Sequence, residues 1–360
     1  MYYRGRKFIG KYFRQYKTLF HNYLQYIRYK NPVLVKEKKT VHFDVIQLQL
    51  YGRYFYVLAK FFAIEGYQIT LNRNFAIFNE ILGGESYLQY LIKEKIVAFK
   101  KSKTPIICFN EKNLLPNYFN FLLPSNNSVD PAFYIPISMH PNFYHHDVHL
   151  FNLENIEKKK SIFMAGNFDI RFYGDEPERH FNVLSRNKIY DQLLTRNFLT
   201  IIKSASELTS FLMSNSDHKC IIIKTDSFRM HFEEYRKYLS QFSFFLACPG
   251  VVMPYCHNIA ESMSVGCIPI IQKEYAEMMH PPLVDGHNSL FFNNAENLSV
   301  VIEKAYGLRN EVVSQMSNNV LDYYNTHLTP KSVVNKIASA NNAKYYLLAE
   351  QTSVKLFSQS

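Results

Sequence analysis

The sequence predicts an α/β protein of two domains, each built on a parallel β-sheet. The chain has 360 residues, of which 47% are hydrophobic, and this is enough to bury two cores of ordinary size. Short β-rich runs alternate along it with stretches of helical periodicity, and that order is typical of parallel sheets with crossover helices. Its 14 Pro and 12 Gly residues are near average usage, which excludes a collagen-like or linker-rich chain.

The first domain is predicted for residues 40–155. A β-rich run at 42–50, the turn Gly52-Arg53 and a helical stretch at 54–64 form its opening unit. Further strands are predicted at four segments: 68–71, 96–99, 104–109 and 132–137.

The second domain is predicted for residues 156–328. Its strands and helices are expected to alternate in the following order: a strand at 161–165, a helix at 187–195, a strand at 220–224, a helix at 232–239 and a strand at 244–247. Residues 329–360 are predicted as a C-terminal helix, running over 331–350, and a tail. Its apolar spacing is explained equally by core packing and by a helix that crosses back to the first domain.

Residues 1–39 form a basic arm. Eleven of the 41 Lys and Arg residues but one of the 30 acidic residues lie there, which leaves 30 basic against 29 acidic residues in an almost neutral remainder. Aromatic and apolar residues return in the arm at three- and four-residue spacing: Tyr2, Tyr3, Phe8, Ile9, Tyr12, Phe13, Tyr16, Leu19, Phe20, Tyr23, Leu24, Tyr26 and Ile27. This composition predicts an amphipathic helix on an anionic membrane surface, and the alternative is a helix packed on the body. A neutral body offers no basic groove, so we expect no nucleic-acid partner.

The sequence also indicates a cytoplasmic protein. Its five cysteines form no C-x-x-C pair and are expected to be reduced thiols. The chain has no apolar run of bilayer length and no signal-peptide pattern. The expected location is the cytoplasm, with the arm as a peripheral contact on the inner face of a membrane.

The most informative segment is 244–292. A strand ending at Cys248-Pro249-Gly250 turns into a helix over 257–264, and a strand at 267–271 follows, so the segment is one βαβ crossover. The loop that contains Gly250 is a candidate diphosphate cradle, because ligands bind beyond the carboxyl ends of parallel strands. Glu261, inside the helix, is placed to accept hydrogen bonds from the hydroxyls of a ribose.

The run Asn258-Ile259-Ala260-Glu261-Ser262-Met263-Ser264-Val265-Gly266-Cys267-Ile268-Pro269-Ile270-Ile271 resembles the nucleotide-sugar-binding helix of GT-B glycosyltransferases. Its second half is similar to the exostosin-like group. Residues 285–292, DGHNSLFF, look like the turn that commonly follows in these enzymes. The resemblance covers roughly a fifth of the chain and is specific because its parts occur in order at proper spacing.

The resemblance implies two Rossmann-like domains facing a cleft, with the acceptor on the first and a nucleotide-sugar on the second, and no required metal or other cofactor. It also implies that Glu261 binds the ribose of the nucleotide. Retaining GT-B enzymes carry a second Glu where this chain has Met253, and this departure favours an inverting transfer. The expected function is transfer from a UDP- or GDP-sugar to a glycan or glycolipid acceptor, in surface polysaccharide or lipopolysaccharide synthesis. The alternative is a catalytically inactive GT-B domain that binds glycan or membrane.

A departing diphosphate needs positive charge that does not titrate, and this favours Arg. The resemblance implies that an Arg in this region faces the diphosphate, and the candidates are therefore Arg186, then Lys188 and Arg171; surface or salt-bridged cations are the alternative for each. His257 and Asn258, at the entrance of the donor helix, are expected to contact the donor.

An acceptor-side base is also needed. His140 is the candidate, with Asp44 as its rival, because a His transfers protons near neutral pH. Gly52 and Arg53 follow the first strand, where the resembling folds place a loop facing the cleft; a simple turn with a solvated Arg is the alternative. The four histidines between 140 and 149 lack Cys partners and lie in a Pro-bearing loop, which disfavours a zinc site.

Overall fold

The computed structural model of the chain describes residues 2–102, 104–124, 131–151, 156–196, 198–340 and 343–359, and the side chains of the first helix from residue 15 onward. The chain forms two compact units. Unit 1 contains residues 1–133 and 334–349, and unit 2 contains residues 134–333 and 350–360. The domain boundary predicted at residue 155 falls on residues 152–155, outside the described part of the chain.

The first part of the chain, up to residue 134, alternates helices and short strands. Its elements are α1 (Tyr2–Arg28), β1 (Thr40–Asp44), α2 (Leu48–Tyr51), α3 (Arg53–Ile64), β2 (Gln68–Leu71), α4 (Phe75–Gly83), α5 (Tyr90–Lys93), β3 (Val97–Phe99), β4 (Ile107–Asn110), β5 (Leu114–Leu115), a 3-10 helix (Tyr118–Leu122) and β6 (Ala132–Tyr134).

The main sheet of unit 1 is parallel, with the strand order β3-β2-β1-β4. Its apolar face is built on Phe43, whose ring stacks on Phe109 at 4.9 Å and meets Phe55 of α3 edge-on at 4.9 Å. All three side chains are buried. Burying aromatic rings of this size contributes much of the stability of a small sheet domain.

The middle of the chain continues the alternation. Its elements are α6 (Pro141–His145), a 3-10 helix (Val148–Leu150), β7 (Lys159–Gly166), α7 (Glu176–Phe181), α8 (Arg186–Thr195), β8 (Leu199–Ile201), α9 (Ala205–Met213), β9 (Cys220–Lys224), α10 (Phe232–Leu239), β10 (Phe242–Leu246), α11 (His257–Met263), β11 (Ile268–Gln272), α12 (Lys273–Glu277), β12 (Leu290–Phe292), α13 (Ala295–Gly307), α14 (Asn310–His327) and α15 (Pro330–Ser339).

Unit 2 is organised around a six-stranded parallel sheet with the order β12-β11-β10-β7-β9-β8. Every residue of β10 and β11 is buried. Continuous apolar runs are expected for parallel strands that are covered on both faces. The fold class predicted from the sequence, α/β with parallel sheets, is therefore confirmed.

The end of the chain differs from the continuous helix predicted over 331–350. α15 ends at Ser339, a strand β13 (Lys344–Tyr346) follows, and a last helix α16 runs over Gln351–Ser358. β13 is the middle strand of a second sheet in unit 1, of order β5-β13-β6, and its Tyr345 ring packs on Phe109 at 5.0 Å. The apolar residues of this segment fit both a helix and a strand, so tertiary pairing decides between them.

A second difference concerns the β-rich run at 42–50. β1 ends at Asp44, and the following residues form the short helix α2 and the Gly52 turn. Gly52 has φ +52°, and a Cβ atom there would overlap the Glu85 carboxylate. That carboxylate accepts a hydrogen bond from the Arg53 backbone N–H at 2.8 Å and pairs with Arg53 Nε at 3.1 Å. Glycine therefore lets Glu85 fix the start of α3.

We expect Gly52→Ala to lower the free energy of unfolding of unit 1 by about 1–3 kcal/mol, because it combines an unfavourable φ with a steric overlap. Gly66→Ala is the matched control, since Gly66 also has positive φ but open space around its Cα. Urea unfolding should show the larger loss for Gly52→Ala, and Glu85→Ala should recover part of it. Equal losses at both glycines would contradict the steric role of Glu85.

Candidate functional site

The candidate site of unit 2 lies where the strand order reverses. From β7 the chain builds β8 and β9 on one side of the sheet and then β10, β11 and β12 on the other. The connections after β7 and β10 therefore leave in opposite directions from neighbouring strands. In open parallel sheets, this switch point at the carboxyl ends of the strands is where ligands bind.

The helix that follows β10 brings a carboxylate to this place. Glu261 of α11 is 1% exposed, and its Oε1 accepts hydrogen bonds from His257 Nδ1 at 2.8 Å and from the His140 backbone N–H at 3.0 Å. The two histidine rings lie 5.0 Å apart, edge to face. Three residues predicted separately from the sequence, Glu261, His257 and His140, thus form one cluster.

The electrostatics of the cluster favour an ionised carboxylate. Burial alone would raise the pKa of Glu261, but the neighbouring His257 and the two hydrogen bonds hold that pKa below its ordinary value. An ionised Glu261 only accepts hydrogen bonds, so His257 must carry its proton on Nδ1. The carboxylate therefore fixes both the tautomer and the orientation of the His257 ring.

The His140 ring has the opposite tautomer. His140 precedes α6, and its Nδ1 accepts a hydrogen bond from the Asn142 backbone N–H at 3.3 Å. A neutral His140 ring therefore carries its proton on Nε2 and already uses its lone pair to cap α6. This arrangement does not present a basic nitrogen to a ligand.

A buried arginine, Arg186, contacts the loops that follow β7 and β10. Ser185 caps α8 and so places Arg186 at the first position of the helix. The Arg186 guanidinium donates to the carbonyl oxygen of Asn167, after β7, at 2.8 Å and to that of Pro249, after β10, at 2.9 Å. It also lies 4.1 Å from the centroid of the Tyr173 ring. Arg186 thus joins the two connections that diverge at the switch point.

No carboxylate pairs with Arg186 among the residues that the structure describes, although the side chain is only 2% exposed. Its Nε atom is buried and has no hydrogen-bond partner among the described residues. A guanidinium keeps its charge under all ordinary conditions. The switch point therefore holds a permanent positive charge. Among the described residues this charge is faced by two carbonyl oxygens, the Cys256 Sγ and the rings of Tyr173 and Phe168.

Asn258 and Gly250 have structural roles in the loop that joins β10 to α11. Asn258 is buried, and its amide donates to the Ala165 carbonyl oxygen at 3.1 Å and to the Tyr235 hydroxyl oxygen at 3.2 Å, which ties α11 to the end of β7. A Cβ at Gly250 would lie 2.7 Å from the Tyr255 carbonyl oxygen. The close return of the loop therefore requires glycine at this position.

Two of the predicted cations lie outside this cluster. Lys188 Nζ is 2.6 Å from Glu178 Oε2, and its side chain is 49% exposed. Arg171 is 80% exposed in its side chain and pairs with Asp169 at 2.5 Å. Both contacts have the character of surface ion pairs, which contribute little to stability.

The remaining predicted residues, Asp44, Gly52 and Arg53, belong to unit 1. Asp44 ends β1 opposite Asn110 of β4, at the point where the strand order of that sheet also reverses. Its Oδ1 accepts a hydrogen bond from the Asn72 amide.

Some of the residues that build these sites belong to no motif recognised in the sequence. Cys256 directly precedes α11, and its Sγ lies 3.6 Å from Arg186 Nη2. In unit 1, His42 is 3% exposed; its Nδ1 lies 2.9 Å from Thr70 Oγ1, and its Nε2 has no partner among the described residues. The only pattern that indicates His42 is its position two residues before Asp44 in the same strand, because alternate side chains of a strand lie on the same face.

Within the described residues, no group of three or more His, Cys, Asp or Glu side chains is arranged to hold a metal ion. Nor does any described helix combine the length and the hydropathy that crossing a bilayer requires.

No protein-family model matches the chain, and no curated protein matches it in sequence. Several solved structures do overlap with it. A glycosyltransferase from Rickettsia africae ESF-5 matches at 12% identity over 83% of this chain and 97% of its own, with a TM-score of 0.43. HepE from Anabaena in complex with UDP matches at 9% identity over 83% and 98%, with a TM-score of 0.40. The N-terminal domain of a Candida albicans trehalose-6-phosphate phosphatase matches at 11% identity over 91% and 75%, with a TM-score of 0.35. Since TM-scores this low do not establish a common fold, a function has to be argued from the residues.

We expect Glu261→Gln to destabilise unit 2 by about 1–3 kcal/mol at neutral pH, because a neutral amide accepts weaker hydrogen bonds and brings an unmatched donor. A carboxyl group whose pKa is lowered by folding stabilises the fold above its unfolded pKa and loses this contribution as pH falls through the folded value. The difference between wild type and variant should therefore shrink below about pH 4.3.

Hydrogen exchange of peptides from β10 and β11 measures this difference within unit 2. Glu178→Gln, which removes a partly exposed carboxylate, is the control and should cost much less. A Glu261→Gln penalty that stays constant down to acid pH would contradict the assignment of Glu261 as an ionised acceptor.

Proposed function

We propose that the chain is a glycosyltransferase that moves a sugar from a UDP- or GDP-sugar to a glycan or glycolipid acceptor. The observation that carries the proposal is the permanent cation of Arg186 at the β7–β10 switch point, where its Nη2 lies 3.6 Å from the Sγ of Cys256, the residue that precedes His257 of the His257–Glu261 pair. A nucleoside diphosphate leaves as an anion, and a preorganised positive charge in a dry site stabilises it at the moment the glycosidic bond breaks. The resemblance of residues 258–271 to the GT-B donor helix supports the same reaction.

In this proposal His257 assists the leaving diphosphate. Its ring is hydrogen-bonded at Nδ1 to the Glu261 carboxylate, and a second proton on Nε2 would make His257 a cationic hydrogen-bond donor to the diphosphate. Its side chain is 36% exposed, whereas that of Glu261 is 1% exposed. We assign Glu261 Oε1 to positioning His257. Oε2 takes part in neither of the hydrogen bonds from His257 and His140 and is left for the ribose contact that the family resemblance implies.

An inverting transfer also needs a base for the acceptor hydroxyl. His140 was the first candidate from the sequence, but its Nδ1 lone pair accepts from Asn142. Asp44 at the end of β1 is exposed and ionisable, and we propose it as the base. The absence of an acidic residue at Met253, a buried side chain, supports inversion over retention.

The remaining parts of the proposal are carried over from the sequence. They are a role in surface polysaccharide or lipopolysaccharide synthesis, a cytoplasmic location with peripheral membrane contact through the arm, and independence from metal or other cofactors. The exostosin-like subgroup also stays a proposal.

The proposal is tested by calorimetric titration of UDP, GDP, CMP and ADP, free and as sugar conjugates, with and without a chelator. We expect a preference for UDP or GDP that the chelator does not abolish. Binding without transfer to any of a broad panel of acceptors would favour the inactive binding module instead. Absence of binding to all four nucleotides would contradict the proposed function.

We expect Arg186→Met to weaken binding of the preferred nucleotide diphosphate by at least about tenfold, since a charge-assisted stabilisation of 1.5–3 kcal/mol is lost. Arg171→Met is the matched control, because it removes an exposed cation, and it should leave the dissociation constant unchanged. Arg186→Lys retains the charge and guards against simple unfolding; it should bind better than the Met variant. Equal affinity in wild type and a folded Arg186→Met would remove Arg186 from the donor site.

A further inference from the structure

The first helix divides its side chains between two faces. One face packs on unit 1. Asn22 is buried and donates to Asn79 Oδ1 of α4 at 2.9 Å, and the Tyr26 ring meets Phe78 at 5.4 Å. Just beyond the helix, the Tyr29 hydroxyl donates to the Val97 carbonyl oxygen at 2.8 Å. The C-terminal half of α1 is therefore anchored to the body of unit 1.

The other face is apolar and largely uncovered by the residues that the structure describes, although its Tyr23 ring meets Phe75 of α4 at 5.3 Å. Tyr16 is 71% exposed, Phe20 65%, Tyr23 46% and Ile27 58%, and their spacing of four, three and four residues places them on one side of the helix. Leu19, 43% exposed, lies beside them. We call these five residues the α1 stripe. Large side chains that are exposed singly are ordinary, but a continuous stripe of this kind marks an interaction surface.

The charged side chains of α1 and of the segment that follows it, up to Lys36, are all basic. Exposed cations flank the α1 stripe or follow it in the chain at Lys17, Arg28, Lys30 and Lys36, and the first acidic residue of the whole sequence is Glu37. The segment after the helix adds two more exposed apolar side chains, Val33 at 89% and Val35 at 43%. This segment thus combines exposed apolar side chains with exposed basic ones.

We propose that the α1 stripe docks on an anionic lipid bilayer, with α1 lying in the plane of the interface. A bilayer of this kind satisfies both features together, because its acyl boundary accepts the aromatic and aliphatic side chains while its headgroups attract the cations. The packed face holds the helix on unit 1, so the whole protein is carried to the membrane. This inference rests on α1 alone and does not depend on the proposed transferase activity.

The test is cosedimentation of the full chain with large unilamellar vesicles. Two vesicle compositions are used: phosphatidylcholine alone, and phosphatidylcholine mixed with phosphatidylglycerol. The protein is expected to bind the mixed vesicles, with an affinity that falls as salt rises, and to bind the pure phosphatidylcholine vesicles at least about tenfold more weakly.

The triple variant Tyr16→Ser, Phe20→Ser, Ile27→Ser should lower the partition coefficient on the mixed vesicles by about tenfold or more, because three large apolar side chains no longer leave water. Its matched control is Leu194→Ser, Met213→Ser, Val300→Ser, which changes three apolar side chains of similar exposure on unit 2 and should bind as the wild type does. Lys17→Gln with Lys30→Gln and Lys36→Gln should weaken binding to the mixed vesicles and flatten its salt dependence.

Circular dichroism and nucleotide titration of the same variants separate this inference from the proposed function, since none of these side chains belongs to the candidate donor site. Equal sedimentation of the stripe variant and the wild type would overturn the proposal. So would equal binding to both kinds of vesicle. A stripe-dependent dimer in sedimentation velocity, without vesicle binding, would assign the α1 stripe to a second copy of the chain and would also overturn it.

Discussion

The buried carboxylate of Glu261 imposes the strictest requirement in unit 2. An anion in a medium of low polarity must be surrounded by donors, and two of these come from separate parts of the chain: the His257 ring on the same helix and the His140 backbone N–H before α6. The segment before α6 and the helix after β10 must therefore keep their positions together. The ring of His257, which is the partly exposed member of the group, gains its orientation from this requirement.

The buried guanidinium of Arg186 imposes a second requirement on unit 2. Its guanidinium needs acceptors, and it finds them in the backbone carbonyls of Asn167 and Pro249 rather than in a carboxylate. These carbonyls belong to the connections after β7 and β10. The chain thus uses one side chain to hold the two loops of the switch point together while its net charge stays uncancelled. A fixed charge of this kind needs no rearrangement when an anion arrives, and this is how electrostatic stabilisation is most effective.

The parts of the fold that could be predicted are those that local sequence specifies. The crossover from β10 through α11 to β11 was predicted because its Gly and Pro residues mark the turns and its strands are continuous apolar runs. The strand at 42–50 was correct up to Asp44 and wrong beyond it, since alternating apolar residues also fit the short helix α2.

The partners within the site were less predictable than the residue types. Arg186 was selected for its chemistry, but its acceptors are backbone atoms of distant segments, which leave no trace in residue identity. The tautomer of His140 likewise depends on one hydrogen bond from Asn142, which only the cap of α6 reveals. Local sequence thus indicates which side chains can take part in chemistry, and tertiary structure decides which of their atoms are already hydrogen-bonded.

The middle position of β13 in the small sheet of unit 1 affects the order in which the chain can fold during synthesis. Its Tyr345 pairs with Leu114, so β5 emerges from the ribosome long before the strand it needs. Until then, Phe109 lacks the Tyr345 ring that packs on it and Leu114 lacks its partner strand. Synthesis of unit 1 therefore starts before that of unit 2 and ends after it. While the strands β7 to β12 are synthesised, the apolar residues Phe109 and Leu114 have to be kept from non-native contacts.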